Sequence, residues 1–314
     1  MSTGKKLKVG VIGVGHLGKE HARIYASLAQ TELVGICDIN FQCAEKAAEL
    51  KTTFCTDYQD LIQKVEAVSI AVPTSLHYEV AKECLKRGVH TLIEKPITAK
   101  LADADHLIQI ATEKKLALQV GHIERYNAAL QRIEKIAHDI RFLEIHRLGP
   151  FTPRVTDCGV VLDMMIHDLD IVLQLVKSEI ASVDAVGINV LTQFEDIANA
   201  RIKFKNGAVC NLTASRLTPE KQRKIRIFQE DAYISLDYQA QAAQIFRKHG
   251  FSIAKEEVPI EKEESLKAEL EDFASSILDG SALGRADIEA RNALALALRV
   301  IEDIKKNSPK YSNA

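Results

Sequence analysis

Near the N-terminus, Gly13-Val14-Gly15-His16-Leu17-Gly18 follows a short apolar stretch and opens a segment with helical spacing. Glycines at these three spacings have distinct physical uses. Gly13 permits a sharp turn, Gly15 lets the backbone approach a pyrophosphate, and Gly18 lets helix and strand pack closely. The helix N-terminus then presents N–H groups and a partial positive charge to phosphates. Asp38 ends Ile36-Cys37-Asp38, twenty residues after Gly18. A carboxylate there accepts hydrogen bonds from both adenosine ribose hydroxyls and repels a 2′-phosphate. No Arg follows it directly, so the pattern selects NAD over NADP as cofactor. The expected cofactor contacts begin with Gly13, Val14, Gly15, His16, Leu17, Gly18 and Asp38. The competing reading is a purely structural glycine turn, and the strand-before, helix-after context weighs against it. His16 and His21 are read as helix-surface residues rather than catalysts.

Three further segments carry more information. Val72-Pro73-Thr74-Ser75-Leu76-His77 ends one strand, and Glu94-Lys95-Pro96 ends the next, at the carboxyl edge where open α/β sheets bind ligands. Asp163-Met164-Met165-Ile166-His167-Asp168-Leu169-Asp170 lies in the second half. Together with the glycine turn, and over nearly the whole chain, these resemble the glucose–fructose oxidoreductase / inositol dehydrogenase family of sugar oxidoreductases. The resemblance places the family's catalytic lysine on Lys95 and its Asp-x-x-x-His pair on Asp163 and His167. It extends the cofactor contacts to Val72, Pro73, Thr74, His77, Glu94 and Lys95, and makes Lys95–Pro96 a candidate cis bond. It also implies a homodimer or homotetramer, packed through the open face of the second domain's sheet.

These residue types suit the oxidation of a secondary alcohol. Histidine can take the hydroxyl proton near neutral pH, where a general base contributes ~10²–10⁴-fold. Asp163, four residues from His167, would share its helical face and orient the imidazole or contact the sugar. Lys95 would hydrogen-bond the reacting oxygen and stabilise its developing charge. A surface ion pair for Lys95 and an ordinary helix pair for Asp163 and His167 are the alternatives. No third ligand with suitable spacing suggests a metal.

Gly121-His122-Ile123-Glu124-Arg125-Tyr126-Asn127 and Arg154-Val155-Thr156-Asp157-Cys158-Gly159-Val160-Val161-Leu162-Asp163 resemble the family branch acting on nucleotide-linked amino sugars. That resemblance implies NAD-dependent oxidation of C3 of a UDP-linked N-acetylamino sugar, or its uronate, to a 3-keto sugar. Such products feed lipid A or surface polysaccharide synthesis. Lys95, Arg125, Tyr126, Asn127, Arg154, Asp163 and His167 are the expected substrate contacts. Arg125 and Arg154 would meet a diphosphate or uronate charge, or else form interdomain salt bridges. Oxidation of a free sugar or inositol, and a non-catalytic dinucleotide-sensing regulator on the same fold, stay open as alternatives. An imine or biliverdin-type reductase is disfavoured by the Asp-x-x-x-His pair.

The elements that must position these groups are legible in outline. Up to about residue 120, strand-like runs (Lys8–Ile12, Leu33–Cys37, Ala67–Val72, Val89–Ile93, Ala117–Val120) alternate with helical segments, implying a parallel sheet covered on both faces. Beyond it, strands at 141–147, 182–190, 198–204, 208–214, 224–229 and 232–236 suggest an open, largely antiparallel sheet. Lys205-Asn206-Gly207-Ala208 reads as a type I′ hairpin. Helices are expected at 127–137, 162–176, 266–278 and 287–305, with an exposed connector at 256–264. The fold class is therefore α/β, an N-terminal Rossmann domain over 1–122 and an α+β substrate-binding and oligomerisation domain over 123–314.

A length of 314 residues suits two domains. The net charge of −2, with Lys and Arg dispersed, argues against a nucleic-acid partner. No apolar run approaches a membrane span and the N-terminus lacks a signal-peptide core, so no membrane association is expected. Cys37, Cys43, Cys55, Cys84, Cys158 and Cys210 form no Cys-x-x-Cys pair and read as reduced thiols of a cytoplasmic protein.

Overall fold

The computed structural model describes residues 5–152, 158–250, 252–284 and 286–307. They fall into two compact units: residues through Ile123 together with Glu264–Arg291, and Glu124–Glu263 together with the residues from Asn292 on.

In the first unit the apolar runs become β1 (Leu7–Ile12), β2 (Thr31–Cys37), β4 (Ala67–Ile70), β5 (His90–Glu94) and β6 (Leu118–Gly121). A short β3 (Thr53–Cys55) completes a six-stranded sheet in the order β3-β2-β1-β4-β5-β6, with every pairing parallel. Val9, Val68, Ile70, Leu92 and Ile93 are fully buried, as strands covered on both faces require. Helices α1 (Gly18–Ser27), α2 (Ala44–Glu49), α3 (Tyr58–Ile62), α4 (Thr74–Lys86) and α5 (Leu101–Lys114) connect them. The strand order reverses between β1 and β4, and their carboxyl ends form the crevice where such sheets take ligands.

In the second unit, α6 (Ala128–Glu134), β7 (Phe142–Leu148) and α7 (Ile166–Leu175) precede β8 (Ile180–Ile188), β9 (Ile197–Phe204), β10 (Val209–Ser215), β11 (Gln222–Phe228), β12 (Ala232–Asp237), β13 (Ala242–His249) and β14 (Ser252–Val258). The sheet runs β14-β13-β12-β11-β7-β10-β9-β8 and is antiparallel except where β10 lies parallel to β7. One face buries Ile145, Leu212, Ile225 and Ile234 with Leu169 and Val172 of α7. Leu296, Ala297 and Val300 join them from the last helix, α9 (Ile288–Asn307). The opposite face carries an aromatic row, Phe142–Phe228–Tyr233–Phe246, with successive ring centroids 5.5, 4.9 and 5.2 Å apart.

Three differences from the sequence reading have local causes. Strands β13 and β14 were not expected, because most side chains of β14 are exposed and polar and conceal its alternation; the expected connector at 256–264 begins inside that strand. The Asn206-Gly207 hairpin is not type I′, since Gly207 has φ +88° and Asn206 is not among the positive-φ residues. Gly207 N–H donates to the Phe204 carbonyl at 3.0 Å and Phe204 N–H to the Ala208 carbonyl at 2.9 Å, the pattern of a type I turn with a glycine bulge. Finally, α8 (Ser265–Leu278) packs with the first unit rather than within one continuous second domain. Its Leu266, Leu270, Phe273 and Ala274 join Ile24, Tyr25 and Leu28 in the first unit's core.

Phe273 is 1% exposed. Phe273→Ala is expected to cost about 3–5 kcal/mol, read by denaturant unfolding; a loss below ~1 kcal/mol would mean that α8 is peripheral to that core.

Candidate active site

The glycine turn is held by backbone contacts and by one carboxylate. Gly13 N–H donates to the Cys37 carbonyl at 2.8 Å, tying β1 to β2. A Cβ on Gly13, at φ +85°, would lie 2.7 Å from the Ala71 backbone, and one on Gly18 would lie 1.8 Å from the Gly13 carbonyl oxygen. Gly15 differs, because a Cβ there meets nothing within 4 Å, and Gly15, His16 and Leu17 are exposed. Two glycines are thus dictated by packing, and the third keeps open the approach a pyrophosphate needs. Asp38 stands beside the turn, its Oδ2 accepting the Val14 N–H at 2.7 Å and its Oδ1 the Asn40 N–H at 2.8 Å. These bonds orient the carboxylate and leave lone pairs for ribose hydroxyls, so the residues fit NAD.

At the end of β5, Glu94 is buried against His21 of α1, with Oε1 and Nε2 3.0 Å apart. Burial alone would raise the Glu94 pKa, but His21 and Lys95 outweigh it and hold the carboxyl below its ordinary value. Oε2 accepts the Lys95 N–H at 3.3 Å, and the Lys95–Pro96 bond is cis. His21, expected on the surface, is fully buried, because it shares the inner face of α1 with Gly18, Ala22 and Tyr25. His77 is also buried. Its Nδ1 lies 2.8 Å from the Pro96 carbonyl and its Nε2 2.9 Å from the Val72 carbonyl, so neither nitrogen is directed at a ligand. It ties together the loops after β4 and β5 that carry Val72, Pro73, Thr74 and Lys95. Burial pushes its pKa down, against the pull of the two carbonyls.

In the second unit, Asp163 lies in a π-helical turn, Val161–Met165, and His167 in the first turn of α7 that follows. The simple four-residue face expected for this pair is therefore modified by the wider turn, a feature common at functional sites. The turn is anchored by Glu195, whose backbone carbonyl accepts Val160 N–H at 2.9 Å and whose Oε1 accepts Val161 N–H at 3.2 Å. A Cβ on Gly159 would lie 2.0 Å from that carboxylate.

The residue after His167, Asp168, is 1% exposed and accepts Arg147 Nε at 3.0 Å and Nη2 at 2.9 Å, with the Tyr238 hydroxyl at 3.1 Å. Burial opposes the charge on Arg147, but Asp168, Tyr238 and Glu124 hold its pKa above the ordinary arginine value. Arg147, Tyr238 and Glu195 were not singled out from sequence, and Glu124 and Gly159 entered only as members of longer segments. The available signal was Asp168 and Asp170 inside an otherwise apolar helix, where buried acids demand partners. Of the expected substrate contacts, Arg125 grips Asp170 through Nε–Oδ2 at 2.8 Å and Nη2–Oδ1 at 2.6 Å. Asn127 is buried and caps α6, with Oδ1 accepting Ala129 N–H at 3.1 Å and Nδ2 donating to the Tyr238 carbonyl at 2.8 Å. Tyr126 is half-buried, and Arg154 lies outside the described residues. Among the described residues no group of three His, Cys, Asp or Glu could hold a metal, and no helix is long and apolar enough to cross a membrane. No disulfide joins two cysteines among the described residues.

A doubly wound sheet with this turn and an oriented Asp38 defines a dinucleotide-binding oxidoreductase. The family models for "Oxidoreductase family, NAD-binding Rossmann fold" and "GFO/IDH/MocA C-terminal domain" match residues 7–122 and 139–235, and the chain belongs to the Gfo/Idh/MocA family. It is 40% identical over 302 residues to UDP-N-acetylglucosamine 3-dehydrogenase of Acidithiobacillus ferrooxidans, covering 94% of this chain and 96% of the relative. It is 28% identical over 234 residues to myo-inositol 2-dehydrogenase of Thermotoga maritima, covering 67% and 69%. A solved structure of the Acidithiobacillus enzyme matches with a TM-score of 0.90 over 96% of this chain and 98% of that one. Levoglucosan dehydrogenase in complex with NADH and levoglucosan matches at 0.86 and 20% identity over 97% and 98%, a likeness of fold.

Gly15→Ala is expected to leave thermal stability unchanged and weaken NAD binding by about tenfold or more, by titration of the cofactor; equal weakening and destabilisation would make it a folding defect. Asp38→Ser is expected to narrow the preference for NAD over NADP, measured as the ratio of the two kcat/KM values; an unchanged ratio would remove Asp38 from cofactor selection.

Proposed function

We propose that this chain oxidises the C3 hydroxyl of a UDP-linked N-acetylamino sugar, UDP-N-acetylglucosamine or its uronate, to a 3-keto nucleotide sugar with NAD as cofactor. The observation that carries this is 40% identity to a UDP-N-acetylglucosamine 3-dehydrogenase across almost the full length of both chains. NAD, when bound, supplies the hydride acceptor at nicotinamide C4. His167 takes the hydroxyl proton, Asp163 orients that imidazole or hydrogen-bonds the sugar, and Lys95 stabilises the charge developing on the C3 oxygen. Support for these roles lies in the residues behind them. Glu94 accepts the Lys95 N–H, and Asp168 locks the turn carrying His167 through Arg147 and Tyr238.

The reading extends to context. A cytoplasmic enzyme making such a product fits a supply route to lipid A or surface polysaccharide. The aromatic row on the open face of the second sheet supports association of copies into a homodimer or homotetramer through that face. A second reading, oxidation of free inositol or a free sugar, is favoured by the myo-inositol dehydrogenase match over two thirds of the chain.

An NAD-reduction assay over UDP-sugars, glucose and inositol separates the two, and turnover of the free polyols alone would overturn the first. His167→Ala is expected to lower kcat by ~10²-fold or more with NAD affinity near normal; unchanged turnover would remove His167 from the chemistry.

A further inference from the structure

A diphosphate-linked substrate needs a cation to meet its phosphates, and the buried and half-buried arginines of the second unit are largely committed to acids. Arg125 faces Asp170, Arg147 faces Asp168 and Glu124, Arg216 faces Asp196 and Arg247 faces Asp231. Arg223, at the start of β11, is the half-buried exception among the described residues. Its Nη1 donates to the Leu148 carbonyl at 2.8 Å and the Gln222 carbonyl at 3.0 Å, while Nε and Nη2 have no partner among the described residues. Among the described residues no carboxylate lies within ion-pair distance of it. Burial, reinforced by repulsion from Arg147, pulls its pKa down against the weaker attraction of Tyr238, Asp168 and Glu124.

Arg223 lines a cleft of about 560 Å³, large enough for a small ligand, formed by the end of β7, the turn before β11 and the end of β12. Lys221 and Lys224 line it too, with no ion-pair partner among the described residues, and Thr218 and Gln239 add polar groups. Glu220 and Asp237 are the acids of the lining, and Asp237 already accepts the Ala240 N–H at 2.9 Å. The cleft is linked to the chemistry by short steps. Arg147 and Tyr238, the latter following Asp237 in the chain, both bind Asp168, the neighbour of His167.

We propose that this cleft seats the diphosphate of the nucleotide-sugar substrate, with Arg223 as the primary phosphate ligand and Lys221 and Lys224 as supporting cations. A planar guanidinium with two unused donor nitrogens suits a phosphate, and two flexible ammonium groups add charge without demanding geometry. The assignment rests on the nucleotide-sugar reading above, and gives the phosphates a place that Arg125, committed to Asp170, does not.

The test uses the full chain with NAD, in wild-type, Arg223→Ala and Lys221→Ala forms. Calorimetry measures UDP binding, and steady-state kinetics measures kcat and KM for UDP-N-acetylglucosamine. For Arg223→Ala, UDP binding is expected to weaken and KM to rise by about tenfold or more, with kcat within about twofold and NAD affinity unchanged. Lys221→Ala, at an exposed position, is expected to move UDP binding the same way by a smaller factor, which preserves the test if Arg223→Ala perturbs folding. UDP binding unaffected by either change overturns the proposal, even if UDP-sugars are oxidised. Arg223-dependent UDP binding without turnover of any UDP-sugar upholds the anion site and overturns the activity reading instead.

Discussion

The approach of Gly18 to the carbonyl of Gly13 governs the first unit's chemistry. No side chain fits there, since a Cβ would sit 1.8 Å from that oxygen. The contact sets α1 directly on the end of β1 and thereby fixes which face of the helix turns inward. His21, three residues on, is carried into the interior, where it meets Glu94. Glu94 accepts the N–H of Lys95, and His77 bridges the carbonyls of Val72 and Pro96. Cofactor turn and lysine loop are therefore one mechanical assembly. A methyl group at position 18 would disturb both, although the lysine lies far along the chain.

The second unit solves a similar problem with charge. Asp168 sits inside a helix that is otherwise largely apolar, and its burial is tolerable only because Arg147 and the Tyr238 hydroxyl satisfy it. Such a buried pair adds little net stability relative to a well-packed apolar core. It does make a wrong rotation of the helix costly, since every alternative strands a charge. His167 and the π-helical turn bearing Asp163 inherit that fixed rotation. Glu195 fixes the other end by accepting the first free N–H groups of the turn.

What could be read from the chain follows from how local each constraint is. The glycine turn and Asp38 were legible because backbone geometry restricts residue type within a short span. The alternation of strands and helices was legible because burial on both faces demands apolar runs. His21 was misplaced because nothing in a ten-residue helix announces which face is inner until its partner, Glu94, is known to lie opposite. Arg147 and Tyr238 were missed because their partner Asp168 is distant in sequence. The Asn206-Gly207 turn was found but mistyped, since the dipeptide serves both kinds of hairpin and the flanking register decides between them. Strand β14 went unseen because an edge strand with charged outward positions resembles a connector, and without it β13 lacked its outer partner.

The packing of α8 on the first unit has a consequence for how the protein is made. Leu266, Leu270, Phe273, Ala274 and Ala282 complete a core whose other buried members are all in place by Ala117. On the ribosome, at roughly 5–20 residues per second, the stretch from there to Phe273 takes about 8–30 s to emerge. Through that interval the dinucleotide-binding half waits with an apolar surface uncovered, while the whole intervening sheet is synthesised. The first unit therefore reaches full stability only after α8 has been synthesised.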